Sequence, residues 1–248
     1  DAAMEQAIQA ITNSDGPTIQ RGETSRSHFM IDICALLKQP SPEYVLFMTL
    51  KDNGFTPTQV QEIYSAISKP TIKEKETTTL QSGRLWDSGT HELLIDRGRL
   101  LIEPKATSSF KTKIFPEEGT YVIDEDGTRL RISKKKNDEH FVLNKKANYA
   151  CLDAQKVSWP LQLRIAQNAD RFVPFGMRHS KLVSDFLTDK KKSIFEKRRQ
   201  LVLTMASASD TILWVVNERI DGRFSLSADT TDVLEIVLLA EDQQAYQC

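Results

Sequence analysis

Positive charge is concentrated between Phe172 and Arg199 of this 248-residue chain. The segment reads FVPFGMRHSKLVSDFLTDKKKSIFEKRR and holds eight lysines and arginines against three acidic residues, although the formal net charge of the chain is −1. Cations that converge on one face can neutralise phosphates, and each contact adds salt-dependent affinity for a nucleic acid. Lysines at the carboxyl end of a helix can instead offset the helix dipole and solvate the surface. The segment is therefore either a docking face for an anion or a solvated helix face.

Four phenylalanines are interleaved with these cations: Phe172, Phe175, Phe186 and Phe195. Aromatic side chains could stack on bases, but at these spacings most of the four are expected to lie in the core. Lysines and arginines that contact phosphates position a nucleic acid without reading its sequence.

The sequence has no recognisable catalytic or metal-binding pattern. Its four histidines are scattered, and none has metal-site spacing to a cysteine or a second histidine. Neither common glycine-rich phosphate loop is present. SGRLWDSG (82–89) is expected to be a strand between turns, because no helix follows to present its amides to phosphate. We therefore expect no catalytic residue, no metal site and no cofactor site in this chain.

Length and composition describe an ordinary globular protein. The chain is long enough for two domains, and its 40% apolar and 27% charged residues are typical of such proteins. No apolar run reaches eighteen residues and the start lacks a signal-peptide pattern, so no membrane association is expected. Three cysteines far apart (Cys34, Cys151 and Cys248) favour a reducing, cytoplasmic location.

The first seventy residues have a helical pattern. FMIDICALLK (29–38), SPEYVLFMTLKDNG (41–54) and FTPTQVQEIYSAI (55–67) each place apolar residues at helical spacing. Ser41 and Thr56 are suited to cap the second and third helices, each with a proline behind it, and Gly54 is suited to end the second. The polar segment 13–27 is predicted to be a mobile loop.

Strand patterns dominate from residue 77 onward. Hairpin turns are predicted at 96–98 and 124–127, a charged turn at 134–140, and further strands at 161–166, 201–206, 211–216 and 232–240. A helix is predicted from Ser180 to about Lys190, with a second short helix after it. Helices first, then strands with an inserted helix pair, predict an α+β fold. We expect a helical domain at 1–105 that ends in a hairpin, a β-rich connector at 106–154 and a small domain with a helix pair on a sheet at 155–248.

Two stretches near the carboxyl end resemble a known family. DRFVPFGMRHSKLVSDFLTDKKKSIFEKRRQLVL (170–203) and TILWVVNERIDGRF (211–224) are similar to the carboxy-terminal domain of tRNA(Ile)-lysidine synthetases, in the form typical of the Bacteroidetes. Residues 42–63 and 82–104 resemble the central, substrate-binding region of the same family. One departure is Asn217, which stands where the family pattern has a glycine.

The resemblance implies a function that the residue patterns alone do not give. Such enzymes use ATP to adenylate the wobble cytidine of the CAU anticodon of tRNA(Ile) and then join lysine to it. Their catalytic amino-terminal domain carries a Ser-Gly-Gly-x-Asp-Ser loop, which is absent from this sequence. The resemblance thus implies that ATP and Mg²⁺ bind outside this chain, and that this chain binds tRNA(Ile) but is inactive alone. A homodimer is one assembly that the resemblance allows.

The predicted tRNA-binding residues combine positions that match the family with the lysine run: Arg171, Arg178, Lys181, Lys190, Lys191, Lys192, Lys197, Arg198, Arg199, Arg219 and Arg223. Arg219 or Arg223 could instead pair structurally with Asp221 or Asp170. The alternative function is a protein-interaction or structural module whose basic face meets an acidic partner or is merely solvated.

Overall fold

The computed structural model describes residues 2–13, 28–68, 82–105 and 110–239. The described residues form two compact units, one ending at Lys105 and one running from Phe110 to Leu239. Apart from Asn13, the segment predicted as a mobile loop lies outside them, as does Cys248. No helix among these residues is long and apolar enough to cross a membrane.

The amino-terminal unit combines short helices with an antiparallel sheet. Its helices are α1 (Ala2–Ile11), α2 (Ile33–Leu37), α3 (Pro42–Leu50) and α4 (Pro57–Ser68). Its strands are β1 (Thr12–Asn13), β2 (Phe29–Asp32), β3 (Leu85–Asp87), β4 (His91–Asp96) and β5 (Arg99–Pro104), in the sheet order β1-β2-β5-β4-β3. The helices and one sheet face enclose a single apolar core.

Local signals located these helices well, with one exception. The apolar stripe of α4 is confirmed, because Val60, Ile63 and Ile67 are buried. The helix predicted from Phe29 instead begins at Ile33: residues 29–32 pair with β5, and the Asp32 carboxylate accepts a hydrogen bond from the Ala35 amide (2.9 Å). The first four residues of the helical pattern therefore form a strand because they pair with β5.

The carboxy-terminal unit contains two larger sheets and a helix pair. The elements are β6 (Lys113–Phe115), β7 (Gly119–Val122), β8 (Arg129–Lys136), β9 (Tyr149–Asp153), β10 (Leu161–Ile165), β11 (Arg171–Phe172), β12 (Lys181–Leu182), α5 (Val183–Asp189), α6 (Ile194–Arg199), β13 (Leu201–Met205), β14 (Ala208–Val215), β15 (Arg219–Ile220) and β16 (Asp232–Leu239). One sheet has the order β7-β8-β16-β9, and the other has the order β15-β14-β13-β10-β6.

Alternation along β13 explains how the layers stack. Leu201 and Leu203 lie in a core shared with β8, β9 and β16, whereas Val202 lies in a second core with Phe186 and Leu187 of α5. The five-stranded sheet is therefore covered by the other sheet on one face and by the helix pair on the opposite face. The predicted α+β class and the helix pair on a sheet are confirmed.

The segment predicted as a separate connector, 106–154, is built into this unit. Phe115, Leu130 and Leu152 lie in the same core as Leu163 and Leu203. The predicted hairpin at 124–127 joins β7 to β8.

The charged turn predicted at 134–140 is shorter than expected, because Lys134–Lys136 continue β8. All three lysines pair with acidic side chains of β16: Lys135 with Glu235 (2.6 Å), and Lys134 (3.9 Å) and Lys136 (2.8 Å) with Asp232. Cross-strand charge pairing therefore extends the strand beyond its apolar part.

A buried ion pair fixes the connection between β10 and β11. Arg164 and Asp170 are each 7% exposed, and the guanidinium donates two hydrogen bonds to the carboxylate, at 2.7 and 2.8 Å. Arg164 also donates to the Ser209 carbonyl (2.7 Å), and Asp170 accepts from the Gln167 amide (2.7 Å). Two buried charges are tolerated only with such complete pairing.

We expect Asp170→Ala to destabilise the carboxy-terminal unit by roughly 3–5 kcal/mol, because it leaves the Arg164 guanidinium buried without its partner. Asp189→Ala is the matched control: Asp189 pairs with Lys181 but is 65% exposed, so its loss should cost less than about 1 kcal/mol. Urea unfolding can be followed by tryptophan fluorescence in a Trp86→Phe background, which leaves Trp159 and Trp214 of this unit as reporters. Equal unfolding midpoints for the two variants would contradict this assignment.

Candidate nucleic-acid interface

The predicted basic helix is shorter than the sequence pattern. Lys181 and Leu182 pair with Arg171 and Phe172 as the two-stranded ribbon β11–β12, and α5 begins at Val183, whose amide donates to the Asp170 carbonyl (2.9 Å). The predicted apolar face is confirmed at Val183, Phe186 and Leu187, which are buried in the core beneath the helix pair.

A capping box starts α6. The Ser193 amide donates to Glu196 Oε2 (2.7 Å), and the Glu196 amide donates to Ser193 Oγ (3.2 Å). Each side chain thus satisfies a backbone donor at the first turn. Burial favours the neutral Glu196 carboxyl, but its hydrogen bonds with Ser193 and the charge of Lys192 outweigh burial and lower its pKa.

Acidic side chains hold Lys181, Lys192 and Arg223, which are among the predicted binding cations. Lys181 pairs with Asp189. Lys192 lies between Glu196 (3.3 Å) and Glu218 (3.0 Å). Burial disfavours the charged Lys192 ammonium, but the two glutamates, Glu218 foremost, outweigh burial and raise its pKa. Lys192 therefore ties the α5–α6 link to the turn before β15, and its charge is already balanced.

Arg223 forms a two-pronged contact with the fully buried Asp221. Its Nε and Nη2 donate to the two carboxylate oxygens at 3.0 and 2.8 Å. Arg223 thus forms a structural ion pair with Asp221, which was the expected alternative to tRNA binding at this position. Asp170 is occupied by Arg164, so Arg219 pairs with neither aspartate.

Other predicted cations lie at the surface. In the part of the chain that the structure describes, the side chains of Arg178, Lys191 and Arg219 have no hydrogen-bond or ion-pair partner, and all three are exposed. Exposed Lys190, at the end of α5, has its ammonium 5.9 Å from the Phe186 ring centre.

The remaining predicted cations have neutral contacts or lie along α6. Arg171 hydrogen-bonds to the Ser180 hydroxyl (3.2 Å), and Lys197 to the Thr188 hydroxyl (2.6 Å). Arg198 is exposed on α6, and Arg199 is half-buried beside it.

The predicted cations are linked into one region by backbone and side-chain contacts. Lys192 bonds to Glu218, next to Arg219, and the loop that carries Arg178 is bonded to β15 through the Phe175 amide and the Ile220 carbonyl (3.0 Å). Cations arranged in this way can bind a polyanion. No group of acidic, histidine and cysteine side chains among the described residues could hold a metal ion.

Sequence reasoning missed the structural role of Arg164. Strand periodicity gave no reason to expect a buried charged side chain in β10. Its partner, Asp170, lies after the turn that follows β10. The aromatic expectation is confirmed for Phe172, Phe186 and Phe195, which are buried, whereas Phe175 is half-exposed.

The amino-terminal unit offers a different surface. A shallow groove of about 630 Å³ lies between α3 and α4, with aromatic and proline residues along it. Its lining contains one carboxylate and no cation: Ser41, Pro42, Glu43, Tyr44, Phe47, Pro57, Val60 and Tyr64. This groove lacks the chemistry to neutralise phosphates.

We expect Ser193→Ala to destabilise the carboxy-terminal unit by about 1 kcal/mol and to loosen α6, because an amide of its first turn loses its acceptor. The control is Ser184→Ala in α5, because Ser184 accepts a hydrogen bond from Thr188 through its backbone carbonyl, which alanine keeps. Amide hydrogen exchange should quicken in α6 for Ser193→Ala and stay unchanged for Ser184→Ala. Unchanged exchange in both variants would contradict a stabilising cap.

Comparison with known proteins identifies related chains. Residues 24–105 match the family model described as the TilS substrate binding domain. The tRNA(Ile)-lysidine synthase of Parabacteroides distasonis is 34% identical over 88% of this chain and 46% of its own length. That of Bacteroides thetaiotaomicron is 33% identical over 82% of this chain and 42% of its own length.

A solved structure, the crystal structure of a TILS C-terminal domain, has a TM-score of 0.44 at 18% identity and covers 53% of this chain and 99% of that one. The chain spans about half the length of the curated relatives that it matches. Residues 24–105 thus match the substrate-binding domain of the tRNA(Ile)-lysidine synthase family, and most of this chain is similar to about half of each of these synthases.

Proposed function

We propose that the carboxy-terminal unit of this chain binds tRNA(Ile) through its basic surface. That surface is defined by the exposed cations Arg178, Lys190, Lys191, Arg198 and Arg219. The observation that carries the proposal is the lack of a protein partner for Arg178, Lys191 and Arg219 among the described residues. Their charges remain available to phosphates, whereas those of Lys181, Lys192 and Arg223 are balanced within the unit.

A surface of this kind suits the shape of RNA. The deep, narrow major groove of an RNA helix hides its bases, so proteins contact double-stranded RNA mostly through backbone and shape. Lysines and arginines on short, packed elements can follow phosphates without reading bases. The identity of the tRNA would then depend on other contacts, including those of the amino-terminal unit.

The full protein that contains this chain would join lysine to the wobble cytidine of a CAU anticodon, using ATP and Mg²⁺ in a domain outside this chain. This proposal is supported by the names of the relatives and by their length, about twice the matched region. The chain itself would hold tRNA in the cytoplasm without modifying it.

We expect the double variant Lys190→Glu/Lys191→Glu to weaken binding of unmodified tRNA(Ile) at least tenfold near 0.1 M salt. Two lost phosphate contacts should also reduce the slope of log affinity against log salt by about 1.5–2. Lys145→Glu/Lys146→Glu is the matched control, because it makes the same charge change at two exposed lysines outside the basic surface. Binding across a salt series, by fluorescence anisotropy, measures both quantities.

Two outcomes would count against the proposal. Equal weakening by the two double variants would mean that only the overall charge of the chain matters. If the chain without substitutions does not bind tRNA, or binds it equally well at all salt concentrations, the basic surface serves only to solvate the unit.

A further inference from the structure

One tight turn presents apolar side chains to solvent beside Arg178 and close to the strand that carries Arg219. The Met177 amide donates to the Pro174 carbonyl (2.8 Å), which closes a four-residue turn, and Gly176 at its third position has φ of +90°. A positive φ at this position is the signature of a type II turn and favours glycine. The turn leaves Phe175 50% exposed and Met177 51% exposed.

The turn is anchored on both sides by the backbone of residues 220–222. Phe175 N–H donates to the Ile220 carbonyl (3.0 Å), and Gly222 N–H donates to the Val173 carbonyl (2.7 Å). Asp221 adds a side-chain contact by accepting a hydrogen bond from the Val173 amide (2.9 Å). A Cβ at Gly222 would lie 3.4 Å from Phe175 Cα, so the two segments are closely packed.

This anchoring fixes the backbone of Phe175, and with it the direction of the Cα–Cβ bond that carries the ring. Among the described residues, Phe175 is the one phenylalanine that is exposed. The backbone that carries this exposed ring is therefore ordered before any partner binds, which reduces the entropy lost on binding.

Cations border the turn. Arg178 follows it in sequence, and Arg219 stands next to Ile220, which accepts the Phe175 hydrogen bond. Both guanidinium groups lack a partner among the described residues, so phosphates could be neutralised next to the exposed ring. An aromatic ring bordered by unpaired cations is the combination with which proteins hold single-stranded nucleic acid.

We propose that Phe175 is a stacking platform for an unpaired nucleobase of the bound tRNA, with Arg178 and Arg219 contacting the adjoining phosphates. This proposal rests on the proposed function, tRNA binding by the carboxy-terminal unit, and adds which part of the tRNA is contacted. An unpaired base is the suitable occupant because bases inside an RNA duplex are already stacked on each other, whereas those of loops and single-stranded ends offer a free face. Charge complementarity favours this occupant over an apolar protein surface, which the bordering arginines would oppose.

The proposal predicts that Phe175→Ala weakens tRNA binding by about 5- to 150-fold, the range for loss of one base–aromatic stack. Phe175→Trp should bind as tightly as the unmodified chain or more tightly, because tryptophan keeps a stacking face. Phe175→Leu should bind as weakly as Phe175→Ala, because leucine keeps apolar volume without an aromatic face. The slope of log affinity against log salt should stay unchanged in all three variants, because no phosphate contact is lost.

The experiment uses the 248-residue chain with two RNAs: tRNA(Ile) and a blunt-ended RNA duplex of the same number of phosphates. Val142→Ala is the control variant, because Val142 is 82% exposed elsewhere in the same unit. We expect Phe175→Ala to weaken binding of the tRNA and leave binding of the duplex unchanged, with Val142→Ala altering neither. Thermal melting verifies that each variant is folded.

The outcomes separate this proposal from the one on which it rests. If the unmodified chain binds tRNA with a steep salt dependence and Phe175→Ala binds equally well, stacking is overturned and tRNA binding stands. Equal weakening of tRNA and duplex binding would also overturn stacking on an unpaired base, as would full affinity in Phe175→Leu. If the unmodified chain does not bind tRNA, both proposals fail.

Discussion

The buried carboxylate of Asp221 is the interaction on which the arrangement of the basic surface depends. It is fully enclosed, and it accepts hydrogen bonds from the Val173 amide, from the Arg223 amide and from the Arg223 guanidinium. A buried charge is tolerated only when its hydrogen bonds are made, so these groups are held where the carboxylate needs them. In this way one side chain fixes the loop before β12 against the segment that follows β15.

The cations of this unit serve two purposes. Arg164, Lys192 and Arg223 are paired with carboxylates and hold the turns and helix ends together. Exposed Lys190, Lys191 and the arginines near the Pro174–Met177 turn leave their charge at the surface. A count of lysines and arginines in the sequence therefore overstates the charge available to a partner, since each internal pair removes one cation from that total.

Much of the fold could be predicted from local patterns. The stripe of α4, the hairpins and the strands of the carboxy-terminal unit follow from periodicity and turn residues, which act within a few positions of each other. Asn217 has φ of +62°, a left-handed conformation that glycine adopts readily and asparagine tolerates, at the position where the family pattern has glycine. The predictions that failed lay at element ends: Phe29–Asp32 pair with β5 and Lys181–Leu182 pair with β11, so neither segment extends a helix.

By itself the sequence determined the α+β class, the helix pair and the concentration of positive charge, because these depend on composition and short-range spacing. Only the tertiary structure decided which cations are neutralised and which remain exposed, since Arg164 meets Asp170, and Lys192 meets Glu218, across turns and strands. It also separated Phe175 from Phe172, Phe186 and Phe195, which lie in the same segment but are buried. Burial and ion pairing depend on contacts between distant segments, which spacing along the chain does not encode.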